Sequence, residues 1–125
     1  MSSDISPSEQ VMQAVAKSIV DITELVSLLQ RGLGQGTTWE RQLAGHLVDV
    51  DRQLNLLRLT VAMERQDSEI LEAAQSLAAA CRLAAAVLGG SRADPTTRAA
   101  VKLVVDLANS VCRDLLKVQE LRSQR

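Results

Sequence analysis

The stretch from Asp67 to Leu88, DSEILEAAQSLAAACRLAAAVL, constrains the fold more than any other part of the chain. Alanine fills eight of its twenty-two positions, and beyond Ser76 its only charged side chain is Arg82. A helix apolar on nearly every side must be buried among other helices or held for a partner. The stretch therefore belongs to an all-α protein whose remaining helices wrap it.

Those remaining helices announce themselves by capping signals and by period. Ser6-Pro7-Ser8-Glu9 reads as a helix start, with Ser6 as cap, Pro7 at the first helical position and Glu9 closing a capping box. Met12, Val15, Ile19, Ile22, Val26, Leu29 and Leu33 then recur at spacings of three and four, one unbroken apolar seam. Gly32, Gly34 and Gly36 supply the turn. Thr37 to Glu40 repeats the capping box, and Leu43, Leu47, Val50, Leu54, Leu57 and Val61 form a second seam. Leu56, Leu59 and Met63 are expected to widen that face toward a second neighbour.

The segment from Met63 to Ser68 holds neither Gly nor Pro. Propensity alone would allow a single rod from Thr38 to Leu88, roughly 75 Å long at 1.5 Å per residue. Register argues otherwise. The second seam, continued, places Glu64, Ser68 and Gln75 inward, whereas the third seam runs through Ile70, Ala74, Leu77, Cys81, Ala84 and Leu88. A tight break near Gln66 follows, with Asp67 capping the new helix.

Gly89-Gly90-Ser91 ends the third helix, and Asp94-Pro95 opens a fourth as cap and first helical residue. Its inward positions include Val101, Val104, Val105, Ala108, Val111, Cys112, Leu115 and Val118. The helix should fray near Leu121, leaving Arg122 and Arg125 exposed beside its negative end. The expected architecture is an antiparallel up-down-up-down four-helix bundle with helices at about residues 7–32, 38–65, 68–89 and 95–122. Residues 1–6 read as a disordered tail, 7–122 as one domain and 123–125 as a basic tail. Counting from the third turn places Cys81 and Cys112 roughly 13 Å apart along the axis, too far for a disulfide.

Composition narrows function by exclusion. Fourteen basic residues against fifteen acidic ones leave a formal charge of -1 over 125 residues, so no global field draws the chain to nucleic acid or anionic lipid. Trp39 is the only aromatic residue, which removes base-stacking platforms and aromatic cages. Two isolated cysteines make neither a disulfide framework nor a zinc site. The polar N-terminus lacks the regions of a signal peptide, and the apolar run Leu83 to Leu88 is far short of the ~20 residues that span a bilayer. These features predict a cytoplasmic protein with no membrane span, a nuclear one being the other reading.

Catalytic constellations are equally sparse. Inward metal sites in bundles use Glu-x-x-His, yet Leu43 stands three residues before His46, the only histidine. No feature marks a Cys–His nucleophile pair, and His46 reads as a boundary side chain. The glycines at 32, 34 and 36 follow no strand and precede no Gly-Lys-Ser/Thr, so no phosphate loop is present. Carboxylates are scattered among Arg and Lys, with no pair set apart for acid–base work. A non-enzymatic protein without cofactor or metal is expected. On the fourth helix Lys102, Asp106, Arg113 and Lys117 share a stripe, with Arg98 one turn before. This is either a solvated face or a basic rim that orients an acidic amphipathic peptide.

The third helix carries a more specific pattern. Ile70-x-x-Ala73-Ala74-x-x-Leu77-Ala78-x-x-Cys81 resembles the vinculin-binding helices of talin rod domains: an aliphatic, two residues, Ala-Ala, two residues, aliphatic-Ala, two residues, aliphatic. Ala84 and Ala85 stand where that family usually carries larger aliphatics, and Leu88 where it carries a small residue. CRLA at Cys81 to Ala84, Asp94-Pro95-Thr96, and Ala108-Asn109-Ser110 followed by Leu115-Leu116-Lys117 are similar to talin rod helical pairs. The first two helices share only the general pattern of the talin, vinculin and focal-adhesion-targeting bundles. The resemblance implies a scaffold or adaptor module, linked to adhesion or the cytoskeleton, that docks acidic Leu-Asp-type helices in an interhelical groove. It also implies release of a buried helix to a vinculin-like partner. The alternative is an assembly module in which the Ala-rich helix and Trp39 form a self-complementary homodimer interface.

Overall fold

The computed structural model describes residues 5–124. It contains four α-helices: α1 (Pro7–Gly32), α2 (Thr38–Ala62), α3 (Asp67–Val87) and α4 (Pro95–Ser123). Each packs on its neighbours in the cycle, α1 on α4, α4 on α3 and α3 on α2, with α1 against α2 the sparsest seam. Chain direction alternates, giving the antiparallel bundle expected from the sequence. The buried positions differ in size between the helices. Those of α1 and α2 are Val, Ile and Leu apart from Ser8, whereas α3 buries Ala74, Ala78, Ala80 and Ala84. Small side chains let helix axes approach closely.

Three of the four helices start as their sequences dictate. The Glu9 amide donates to Ser6 Oγ at 3.2 Å while the Ser6 amide donates to Glu9 Oε1 at 3.3 Å. Thr37 and Glu40 repeat this exchange at 3.3 and 3.0 Å. A Cβ on Gly34 would lie 2.6 Å from Glu40 Oε2, so glycine there leaves room for the boxed carboxylate. Asp94 Oδ2 accepts from the Thr97 amide at 3.1 Å, with Pro95 at the first helical position. Ser6 is thus ordered as a cap rather than part of a tail; the remainder of the expected N-terminal tail, residues 1–4, and Arg125 lie outside the described residues.

The four seams fill the core as spaced. Val15, Ile22, Leu43, Leu47, Leu54, Leu57, Ala74, Leu77, Ala108, Val111 and Val118 are almost wholly inaccessible. Met12, Leu33, Val61, Val105 and Cys112 are half-buried at its margins. By length and composition α3 is apolar enough to cross a membrane, but seven of its residues face the shared core. Core packing accounts for those seven, while Ala79, Leu83 and Ala86 are exposed.

The break between α2 and α3 differs in detail from expectation. Helix α2 ends at Ala62, not 65, because Glu64 adopts φ 52, the left-handed region. The Arg65 amide donates to Thr60 O at 3.1 Å and the Glu64 amide to Val61 O at 3.0 Å, the two bonds of a Schellman motif. Gln66 is the N-cap of α3, without a side-chain cap bond, so Asp67 is not the cap. Its carboxylate instead accepts a hydrogen bond from Arg122 Nη1 in the last turn of α4. Arg122 is accordingly an interhelical tie rather than a free end charge, and α4 continues to Ser123 instead of fraying at Leu121.

The register of α3 on α4 also differs from the count. Arg82 Nη1 donates to Asn109 Oδ1 at 3.4 Å, and Asp67 meets Arg122, so α3 residue n lies level with α4 residue near 190 minus n. Cys112 is then only roughly 4–5 Å from Cys81 along the axis, not 13 Å. Both cysteines are free. Burial pushes the Cys81 thiol up to about 12, opposed by Arg82 and reinforced by nearby Cys112. Burial also raises Cys112, against the pull of Arg82 and Arg113.

Candidate docking surfaces

The residues singled out on the third helix are core residues in the folded bundle. Ile70, Ala74, Leu77, Ala78 and Cys81 are all buried; Ala73 reaches the margin of one groove and Ile70, 6 % exposed, that of another beside Met12 and Val61. A partner meets this pattern only after α3 leaves the bundle. The basic stripe on α4 is split by its local partners. Arg98 Nη2 donates to Ser91 O at 2.6 Å and its Nε to Ala93 O at 3.1 Å, clasping the α3–α4 turn. Lys102 pairs with Asp106 at 2.9 Å on an exposed surface. Arg113 and Lys117 are exposed and make no ion pair among the described residues.

Even so, the α3/α4 side has the form of a small groove. Ala85, Leu88, Val101 and Val105 form its apolar lining, with Arg98 and Lys102 at its edge. Arg82 and Arg113 continue the positive margin toward Cys112, where both act on the thiol. The apolar lining comes from both sides, Ala85 and Leu88 at the end of α3 and Val101 and Val105 of α4, and the cations are Arg98, Lys102 and Arg113 of α4 with Arg82 of α3.

Two further grooves hold apolar side chains outside the core. Leu56, Leu59 and Met63 are 54, 58 and 62 % exposed, so they meet no second neighbour within the bundle. With Thr60, Ala73 and Ser76 they line the α2/α3 groove, where Arg65 and Glu69 pair at 3.4 Å. On the α3 side the groove is bordered by Glu69, Glu72, Ala73 and Ser76, polar or small side chains that leave the α2 row uncovered. The other groove lies between α1 and α4, built from Leu25, Leu28, Leu33, Ala100, Leu103 and Leu107. Of these residues the sequence pattern marked only Leu33, as the end of the first seam. The available signal was a second apolar row one position from each seam, Leu25-Leu28 beside Val26-Leu29 and Leu103-Leu107 beside Val104-Ala108.

No three His, Cys, Asp or Glu side chains gather to hold a metal ion among the described residues. His46 is half-buried beside the α2 seam, and Trp39 packs partly buried against the core. Among the described residues no buried side-chain nitrogen or oxygen lacks a hydrogen-bond partner. The chain matches no family model, and comparison with curated proteins and with solved structures finds no similar protein.

Proposed function

We propose that this chain is a non-enzymatic interaction module that docks amphipathic partner helices along its interhelical grooves. One observation carries the reading: a bundle with a complete core still leaves large apolar side chains aligned in grooves between its helices. Parallel ridges of two helices form a channel into which a third helix can lay residues spaced i, i+3, i+4 and i+7. The α3/α4 groove, with its apolar lining and the margin of Arg98, Lys102, Arg82 and Arg113, suits an acidic Leu-Asp-type helix. A cytoplasmic setting linked to adhesion or the cytoskeleton is part of this proposal and rests on the talin-type pattern of α3.

Titration of isotope-labelled protein with an acidic Leu-Asp-type helical peptide tests the assignment. Amide shifts confined to Ala85, Val101, Lys102 and Val105 are expected. Absence of shifts at millimolar peptide removes the acidic ligand.

A second reading, release of α3 to a vinculin-like partner, draws on the local start of that helix, where the Asp67–Arg122 pair is the tie to α4. Gln66 offers no side-chain cap bond, and the preceding Glu64 sits in a left-handed conformation. Slow labelling of the buried Cys81 that accelerates with such a partner would support release. Homodimer formation through α3 is the competing proposal, and a concentration-independent monomer in light scattering eliminates it.

A further inference from the structure

We infer that the α1/α4 groove docks a basic amphipathic helix, so that the bundle offers two grooves of opposite charge preference. The inference rests on the docking reading and names the partner chemistry of a surface that the sequence pattern did not mark.

The groove is continuous. Leu25 and Leu28 line both of its halves, one reaching Asp21 and Leu107, the other reaching Leu33 and Asp94. From Asp21 to Leu33 it runs for roughly 18 Å, about three turns of a partner helix. Leu28 is 59 % exposed and Leu103 46 % exposed, so these two stand open to solvent, while Leu25, Leu33, Ala100 and Leu107 are partly buried against the core and form the floor.

Every charged residue that lines the groove is a carboxylate: Asp21, Glu24 and Asp94. Lys17 offsets one of them, lying 3.0 Å from Asp21. Glu24 and Asp94 have no ion-pair partner among the described residues. On α4 the row Leu103, Leu107, Ser110, Asp114 and Lys117 keeps one helical face, so beyond the groove itself a carboxylate is followed by a lysine and the acidic preference rests on Asp21, Glu24 and Asp94. The start of α4 does not reverse this sign, because Asp94 itself caps it and accepts from the Thr97 hydroxyl at 2.7 Å. The Thr97 hydroxyl and amide hold the Asp94 carboxyl below its usual range, so its charge is fixed at neutral pH.

Charge selects among occupants. An acidic helix would lay its carboxylates beside Glu24 and Asp94, an arrangement of like charges that opposes binding. A second copy of the chain, joined about a two-fold axis, would bring the same patch against itself and set the same carboxylates together. A helix with leucines on one face and Lys or Arg on its flanks meets both the floor and the rim.

The experiment uses the full chain, isotope-labelled, with two synthetic helical peptides of about 18 residues that share leucines at i, i+4, i+7 and i+11. One carries lysines at the flanking positions, the other glutamates. The expected result is that the lysine peptide shifts amides around Leu25, Leu28, Leu103 and Leu107, and that its affinity falls several-fold between low salt and 0.3 M salt. Glu24→Lys should weaken it by about fivefold, and Leu28→Ser with Leu103→Ser should abolish it. These positions are exposed, and an unchanged thermal melt verifies that the variants remain folded.

If the lysine peptide leaves this groove unshifted while the glutamate peptide binds elsewhere, the inference fails and the docking module stands. Equal binding of both peptides here also overturns it, since charge then selects nothing. If neither peptide binds any groove, the docking reading and the inference fall together. Binding of the lysine peptide here with no response to the glutamate peptide upholds the inference and removes the acidic ligand assigned to α3/α4.

Discussion

Replacing Glu64 with glycine offers a direct measurement of how α2 and α3 are divided. Glu64 sits at φ 52, and its amide and that of Arg65 return to Val61 O and Thr60 O. A left-handed conformation costs a residue with a Cβ about 1–2 kcal/mol, a cost that glycine escapes. Glycine in turn gives back about 0.4–1 kcal/mol through the greater freedom of the unfolded chain. Removing a carboxylate from the negative end of α2 adds about 0.3 kcal/mol. The net expectation for Glu64→Gly is a gain of about 1 kcal/mol, or about 3–5 °C in Tm for a chain of this size. Urea denaturation should show a higher midpoint with an unchanged slope. Alanine provides the control, because it relieves none of the left-handed cost. In a continuous α2–α3 rod the order inverts: alanine would stabilise and glycine would cost about 1 kcal/mol as a mid-helix residue. A destabilised Glu64→Gly beside a stabilised Glu64→Ala would refute the break.

Three further outcomes follow from individual contacts. Ala74→Glu places a carboxylate at a position with no accessible surface, and a loss of about 3–5 kcal/mol is expected by denaturant titration; near-native stability would mean that α3 does not face the core there. Arg98→Ala removes the clasp on Ser91 O and Ala93 O and should cost about 1–2 kcal/mol, with Arg98→Lys recovering little because one ammonium lacks the guanidinium fork. Stability of the Ala variant equal to wild type would show that the clasp is idle in solution. Cys81 ionises near 9.0 when unfolded and near 12 when buried, so the folded state holds the proton longer. Its stabilising contribution is complete below pH 9 and is lost as pH rises toward 12, about 2–3 kcal/mol by pH 11. Stability curves for wild type and Cys81→Ala should therefore converge above pH 9, and parallel curves would contradict the burial.

The fold was legible because each helix carries its own period and its own ends. Val15 to Leu29 and Leu43 to Leu57 fall inward without exception, since a three-four spacing admits only one buried face. Capping boxes at Ser6 and Thr37 were equally plain, because both partners of each box lie within four residues of sequence. The start of α3 was not legible. Asp67 is a good cap in isolation, but its carboxylate is taken by Arg122, a contact fifty-five residues away that no local pattern contains. Glu64 was hidden for a different reason: left-handed backbone normally advertises itself by Gly or Asn, and here a glutamate occupies it. The grooves were half visible. Leu56, Leu59 and Met63 were recognisable as a second apolar row, but their exposure depends on which α3 residues stand opposite them, here the polar or small Glu69, Glu72, Ala73 and Ser76.

The cysteine register shows why axial counting from a turn fails even when the topology is right. The count assumes that α4 begins level with the end of α3. Pairing of Arg82 with Asn109 instead sets Leu88 level with about residue 102, so the first two turns of α4 overhang the end of α3 by roughly 10 Å. The overhang is explained by what it touches: Asp94, Thr97 and Ala100 border the same groove as Leu29, Gly32 and Leu33 at the end of α1. Arg98 then anchors the long return from Leu88 by holding Ser91 and Ala93. The same displacement that brings Cys112 near Cys81 also extends the α1/α4 groove past the end of α3, and so builds the acidic surface at Asp94. Shortening the Leu88–Asp94 connection would pull α4 back into level register. It should then separate the two thiols and close the far half of that groove in one step, a coupling that cysteine cross-linking and the lysine peptide would report together.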